Sequence, residues 1–419
     1  MQLIVVRFTC LLLAMLSLAD LAGAACDQTL SVGANVASAI SSAAAGSTIC
    51  LNSGAYGTVT LGTFTKNPRV TVQAVTPLGP TIGISIQSAA NGVTFDGLTI
   101  SGGIWMAGSG NKNITIKNSA FGTAQFVIQA GGFNNNNILV EANTFGAFNA
   151  DGGYEGRMQV VGEYTNMTGI TIAGNTFGPG GCSDGVQISG RGVTVSGNIF
   201  TNILQSQTCT DLYAPAGPPH VDALQGYGNS ITTVTNNHFV NNSVDLGFYD
   251  GGESEVFTNN VFEHSSANGV AVQCGSISDP LFEHNTVRNA TINFNGKPEN
   301  GPTTNLLLRN NLFINSSGVN LLQNGDPACT SCVVTDNQFQ SGGSGSNQLS
   351  GAPTFVSGSP PATWAGYRLT TGSIGYQAGT DGQDMGTTYY GAESGSSSSV
   401  LIRGNGVQGM RYSGRKYGW

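Results

Sequence analysis

From residue 114 onward the chain repeats one hydrophobic phrase. A short strand-like run is followed by Asn, any residue and Phe. The runs Ile114-Thr-Ile116, Ile170-Thr-Ile172 and Val193-Thr-Val195 alternate apolar and polar positions, while Leu306-Leu-Leu308 is apolar throughout. The phrase stands at Asn143-Thr-Phe145, Asn175-Thr-Phe177, Asn198-Ile-Phe200, Asn237-His-Phe239, Asn260-Val-Phe262, Asn311-Leu-Phe313 and Asn337-Gln-Phe339. Ser119-Ala-Phe121 and Asn285-Thr-Val287 are degenerate copies. Successive first positions are 24, 32, 23, 39, 23, 25, 26 and 26 residues apart. Period-two alternation marks half-buried strands. A base period near 24 with two insertions marks stacked coils.

One coil cannot bury its own apolar face, so neighbours stack and pair in parallel. The recurring Phe is expected to stack inside as a ladder. The recurring Asn is expected at a bend, its amide bonded to its counterpart one coil away, with Gly supplying the positive φ the bends need. A leucine-rich repeat has a similar period, but its Leu consensus is absent. A sandwich needs antiparallel hairpin signals and has no reason to preserve Asn-x-Phe.

A second strand can be aligned in each coil, at Met158-Gln-Val160, Val186-Gln-Ile188, Leu224-Gln-Gly226, Leu246-Gly-Phe248 and Val270-Ala-Val272. Flanking apolar residues point inward, so the middle ones point outward. Gln159, Gln187 and Gln225 then form one outward row. Asp184 and Asp222 are expected to form a second, and Tyr227 and Tyr249 a third. Both long insertions flank these coils. One holds Asp151 to Arg157, and the other runs from Cys209 to His220. Loops are the readiest place to build a groove wall. A Cys182–Cys209 bridge would brace the second loop beside Asp184. The stretch His220-Val-Asp222-Ala-Leu-Gln225-Gly-Tyr227 echoes Ser183-Asp184-Gly-Val-Gln187. His238, His264 and His284 follow the repeat frame and are expected at the surface or at bends. Asp245 and Asp250 fall on the next coil.

Composition narrows the chemistry. The chain has 419 residues, with 23 acids against 15 bases and a formal charge of −8. Arg7 lies in the leader, and Arg403, Arg411, Arg415 and Lys416 lie in the tail, so 15 − 1 − 4 = 10 bases serve the body. Nucleic-acid binding, which needs a clustered basic footprint, is not expected. Arg7, the Leu-rich run Leu11–Leu21 and Ala22-Gly-Ala24 read as a signal peptide over residues 1–24, removed on export. No later segment is long and apolar enough for a span. The mature protein is expected to be secreted, extracellular or periplasmic. In an oxidising compartment disulfides are the default. The simplest pairs are Cys26 with Cys50, Cys182 with Cys209, and Cys329 with Cys332, leaving Cys274. Residues 391–419 read as a Gly/Ser-rich linker and a basic aromatic tail.

The repeat, the amphipathic stretch Val36–Ala45, and the close Tyr367-Arg-Leu369 with Gly382-Gln-Asp384-Met-Gly386 resemble the right-handed parallel β-helix proteins of the pectate-lyase-like superfamily. The resemblance covers residues 26–390 or so. It implies an all-β, single-stranded right-handed parallel β-helix (a solenoid) over 25–390, with an N-terminal capping helix. It also implies a polysaccharide partner, with fold more specific than function. The sequence does not define an oligomeric state.

The first functional reading is a lyase or C5-epimerase acting on a uronate-containing polysaccharide by proton abstraction. His220 or Tyr227 serves as base or acid. Arg157 and Arg191 hold the sugar carboxylate. Gln159, Gln187, Gln225 and Tyr249 bind the chain. Stacked one strand spacing apart, about 4.8 Å, Asp184 and Asp222 repel unless they share a proton or a cation. Calcium bridging Asp184, Asp222 and Asp250 is the natural escape. The second reading is a polygalacturonase-like glycoside hydrolase, from Ser183-Asp184-Gly185. That family's paired-Asp and Arg-x-Lys motifs are missing, and an inverting hydrolase needs its carboxyls about 6.5–9.5 Å apart. The third is a non-catalytic glycan-binding or surface β-helix, since amide and tyrosine rows suit sugar hydroxyls and ring faces equally well.

Overall fold

The computed structural model describes residues 25–129, 135–146, 156–162, 166–205, 221–227, 231–249, 251–296, 301–316, 318–322, 328–361 and 363–389. The leader, the tail, His220 and Asp250 lie outside these. Two large sheets of parallel strands, of 13 and 21 strands, wind together as a solenoid. A full coil contributes one strand to the first sheet and two, side by side, to the second. The coil of Val193–Val195 shows the order. It passes through Arg191–Ser196 of the first sheet, Ile199–Thr201 of the second, Asp222–Gly226 of the second, and returns to the first at Ile231–Thr235. Each strand pairs with its equivalent one coil away.

The Asn-x-Phe phrase explains the stack. Phe121, Phe145, Phe177, Phe200, Phe239 and Phe262 share one register row and are buried. Their rings stack at successive centroid distances of 4.4, 4.6, 4.9, 4.8 and 5.0 Å. Offset stacking of this kind adds to the area each ring buries. Beside them the asparagines form a second ladder. The Asn143 N–H donates to the Asn175 side-chain oxygen at 2.9 Å, Asn175 to Asn198 at 2.8 Å, and Asn198 to Asn237 at 2.9 Å. The ladder continues through Asn260, Asn285 and Asn311 to Asn337. Each amide nitrogen also donates to an interior carbonyl, as Asn198 does to Ile172 at 2.9 Å. Buried bends thus keep their backbone groups satisfied.

The bend itself corrects one expectation. The left-handed residue is the one before the ladder position. Gly fills it only at Gly174 and Gly197, while Asn fills it at Asn118, Asn236, Asn259 and Asn310, and Ala142, His284 and Asp336 also adopt it. Asn tolerates this conformation through local hydrogen bonding of its short side chain.

A helix spans Val36–Ser42, shorter than Val36–Ala45. Asn35 caps it by accepting the Ser38 N–H at 2.9 Å, and Ala43 is already extended. Val36, Ala39 and Ile40 join the main core. Among the described residues no helix is long and apolar enough to cross a membrane. Cys26–Cys50 and Cys329–Cys332 are disulfides, and Cys274 is a buried free thiol. Cys182 is also disulfide-bonded, and Cys209 lies outside the described residues.

Strands run from Gln28 to Ser350. The chain then folds back as a strap along the outer side of the Asn-x-Phe strands. Thr380 bonds Asn310, the Thr387 N–H donates to Thr286 Oγ1, and Thr388 bonds Asn259. Phe355, Tyr367 and Leu369 form a second apolar cluster with Val261, Leu312 and Ile314. This strap alters the reading of His238 and His284, and His264 is buried by other means. His284 does occupy a bend, but its ring is buried, held by the Asp384 carbonyl at 3.1 Å and the Asp381 carboxylate at 3.0 Å. His238 is buried between Glu263 and the Trp364 ring. His264 is buried on Asp245 at 2.9 Å, with its pKa raised. Burial opposes that shift, and the Asp245 carboxylate outweighs it.

Candidate functional site

The second strand of each coil places its middle residue outward. The register row reads Ser85, Trp105, Val127, Gln159, Gln187, Gln225, Gly247, Gln273, Asn293 and Asn320. The three predicted glutamines stand in register. Their amides form a chain: Gln159 donates to Gln187 at 3.1 Å, and Gln187 donates to Gln225 at 2.9 Å. Gln187 and Gln225 are buried and Gln159 is half-buried.

Asp184 and Asp222 are not the solvent-facing row the sequence implied. They are 2% and 0% exposed. Strict alternation turns a residue two places before an inward aliphatic inward as well. The chain bends here instead. Val221, Ala223 and Leu224 fill the core, and the Asp222 carboxylate lies over the outward position of Gly247. Asp184 is engaged on both oxygens. One accepts the Asp222 N–H at 2.7 Å, and the other accepts the Gln187 amide at 2.8 Å. The Tyr249 hydroxyl donates to Asp222 Oδ1 at 3.3 Å. Its phenol is pushed well above the usual tyrosine range, by burial first and then by the Asp222 charge. Tyr227 follows its strand one coil earlier, is half-buried, and donates its N–H to the Ile188 carbonyl at 3.0 Å.

Sequence reasoning missed Gly247. A Cβ there would collide with the Asp222 carboxylate and the Tyr249 ring. The glycine breaks the amide row to seat the acid. Its signal was visible as the Gly of Leu246-Gly-Phe248.

The two arginines diverge. Arg157 is 1% exposed, and among the described residues none of its guanidinium nitrogens has a hydrogen-bond partner. Burial lowers its pKa to about 10, against the pull of the Asp184 charge. An exposed clamp for a sugar carboxylate is therefore not what Arg157 forms. Arg191 stands on the 13-stranded sheet and is ion-paired with Glu253, so its charge is already matched.

Calcium takes six to eight oxygen ligands. Asp184 spends its oxygens on Asp222 and Gln187, and Asp222 receives Tyr249. Among the described residues no three His, Cys, Asp or Glu side chains group as a metal site. Asp250, the third predicted ligand, lies outside the described residues, and Asp184 and Asp222 alone supply too few oxygens for calcium.

The family model for the right-handed β-helix region matches residues 222–358. The chain is a right-handed parallel β-solenoid. Among solved structures it is similar to the PL6 family alginate lyase AlyGC, at 14% identity and TM-score 0.49, covering 87% of this chain and 58% of that one. It is also similar to the alginate lyase AlyF-OU02, at 14% identity and TM-score 0.47, covering 85% and 91%. Pectate lyase Pel9A matches at 13% identity and TM-score 0.41, covering 87% and 96%. The chain thus spans under two thirds of AlyGC. These are likenesses of fold. A comparison with curated protein sequences returns no match.

Proposed function

We propose that the protein is a secreted, polysaccharide-active lyase or C5-epimerase that works by proton transfer on a uronate polymer. The observation that carries this reading is the Tyr249–Asp222 pair, set in the outward row of the solenoid with Tyr227 one coil before it. A phenol held protonated gives up its proton only to a strong base, and a departing sugar alkoxide is one. Tyr249 is then the acid: its one hydroxyl proton rests on Asp222 Oδ1 and turns to the leaving oxygen as the C4–O bond breaks. Tyr227 as its phenolate, or His220 as the neutral imidazole, takes the C5 proton. The electron pair forms the C4–C5 double bond, the C4–O bond breaks, and the leaving oxygen receives the Tyr249 proton. In an epimerase, C5 is reprotonated from the opposite face. Buried Arg157 contributes charge from beneath the face rather than contact. Asp184 fixes the Asp222 backbone and the Gln187 amide. In the same reading the helix Val36–Ser42 lids the first coil, since its apolar face is buried there.

A second reading rests on a different observation. Gln159, Gln187, Gln225 and Asp184 satisfy one another, which suits a rigid glycan-binding surface without turnover. A panel of alginate and polygalacturonate separates the two. Ultraviolet absorbance of an unsaturated product signals elimination, and solvent deuterium at C5 signals epimerisation. Tyr249→Phe should lower kcat by about a hundredfold or more with polymer binding intact. Full activity in that variant overturns the acid role. Binding without either product moves the protein to the second reading.

A further inference from the structure

Two coils before Gln159, the outward row carries Trp105, the one exposed aromatic among the ten exposed large apolar side chains of the described residues, at 43% exposure. Its neighbours along the strand, Ile104 and Met106, are buried core residues. The indole is therefore presented by a fixed strand, with no part in the core.

The surroundings are cleared for it. The indole nitrogen lies 3.3 Å from where a Cβ of Gly103 would stand, and Gly103 adopts φ +74°. Gly102 and Gly83 lie against each other on adjacent coils, a Cβ on Gly102 being only 3.2 Å from the Gly83 Cα. Gly103 thus leaves room for the indole edge, while the Thr58 hydroxyl lies against the Gly83–Gly102 contact. On the preceding coil Ser85 is Trp105's register partner, and the exposed Gln87 amide donates to its hydroxyl at 2.6 Å. An apolar plate edged by a hydroxyl and an amide matches a pyranose ring, which has a C–H face and an equatorial rim of hydroxyls.

We infer that Trp105 is a sugar-stacking platform, a remote subsite for the same polysaccharide chain that crosses the Gln159–Gln225 row. The register fixes its reach. Trp105 stands two strand spacings from Gln159, about 10 Å, and four from Gln225, about 19 Å. A chain lying along the solenoid axis passes from the indole over buried Val127 to the amide row, whereas a trisaccharide at Gln187 and Gln225 does not reach the indole. The subsite serves chain length and polymer affinity, leaving the chemistry to residues two to five coils away.

This inference rests on the proposed polysaccharide reading, and the test keeps the two apart. Alginate and polygalacturonate, as polymers and as trisaccharides, are titrated against the full chain by calorimetry, with wild type, Trp105→Ala and Trp105→Phe in parallel. Trp105→Ala should weaken polymer binding about tenfold and leave trisaccharide binding unchanged. Trp105→Phe should recover most of the loss, and melting temperature should not move. Polymer bound equally by wild type and Trp105→Ala overturns the platform while sparing the polysaccharide reading. No binding of either polymer by wild type overturns both. A loss of self-association in Trp105→Ala, with glycan affinity unchanged, assigns the indole to a copy of the same chain and likewise overturns the platform.

Discussion

The 21-stranded sheet presents two outward rows, and the chain treats them in opposite ways. On the Asn-x-Phe strands the row is Ala120, Thr144, Thr176, Ile199, His238, Val261, Thr286, Leu312 and Gln338. From His238 onward these residues are buried beneath the strap, while Ile199 is 36% exposed. On the neighbouring strands the row carries amides, a glycine and a tryptophan, with buried carboxylates beside it. The first row contributes to stability by sealing a second apolar cluster. The second is also buried at Val127, Gln187 and Gln225, and there the amides bond one another rather than meeting an apolar strap. Outward direction in a solenoid is thus a statement about the strand alone. What lies over the row decides whether a residue acts as core or as surface.

The sharpest way to break that comparison lies within one strand. Phe200 is 0% exposed in the ring stack, and Ile199 beside it faces out past the point where His238 begins the covered stretch. Phe200→Ala should cost about 3–5 kcal/mol in urea unfolding. Ile199→Ala should stay within about 0.5 kcal/mol. Similar costs for the two would mean the outward row is packed along its whole length.

Most of this architecture was legible because it is local and repeated. Asn143 to Asn337 announce the bends, the Phe positions announce the interior, and two-residue alternation sets direction. Three features were not legible. The strap joins residues about 100 apart, as His284 and Asp381 are, so no repeat position marks His238 or His284 as buried. The bend at Val221–Leu224 breaks alternation, so Asp222 reads as a simple flank of a strand. Arg157 is written as an ordinary base, and no position in the repeat marks it as buried.

The strap makes the covered row sensitive to acid. Glu263 sits under it, bonded to His238 at 3.2 Å and Arg288 at 2.7 Å and hydrogen-bonded by Tyr367. Burial raises its pKa, but the His238 and Tyr367 hydrogen bonds and the His238 and Arg288 charges outweigh that, and the net shift is downward. A depressed carboxylate contributes stability above its unfolded pKa and loses it as pH falls through the folded value. The strap should therefore hold at neutral pH and loosen below the ordinary glutamate range. Trp364 emission and strap proteolysis followed down in pH report it. Glu263→Gln should remove most of the acid-dependent step, leaving the share of Asp381, whose pKa is also depressed. There too burial opposes the shift, and the Gln383 N–H and His284 outweigh it. A step unchanged by Glu263→Gln would place the acid sensitivity elsewhere.

The smallest expected effect tests the other row. Gln159 ends the amide chain, half-buried, and its amide donates one bond to Gln187. Gln159→Ala removes that single bond and, because Gln159 itself is half-buried, opens the otherwise buried Gln187 acceptor to water, so stability should fall by about 1 kcal/mol. Leu312 is its counterpart on the covered row, 1% exposed and packed in the strap cluster. Leu312→Ala should cost about 2–4 kcal/mol, because it opens a cavity between strap and coil. The ratio is what matters. If the amide row is a working surface, Gln159→Ala costs no more than that and its main effect falls on polymer affinity. If Gln159→Ala costs as much as Leu312→Ala and affinity is unmoved, the amides are a polar core in their own right, and the contrast between the two rows fails.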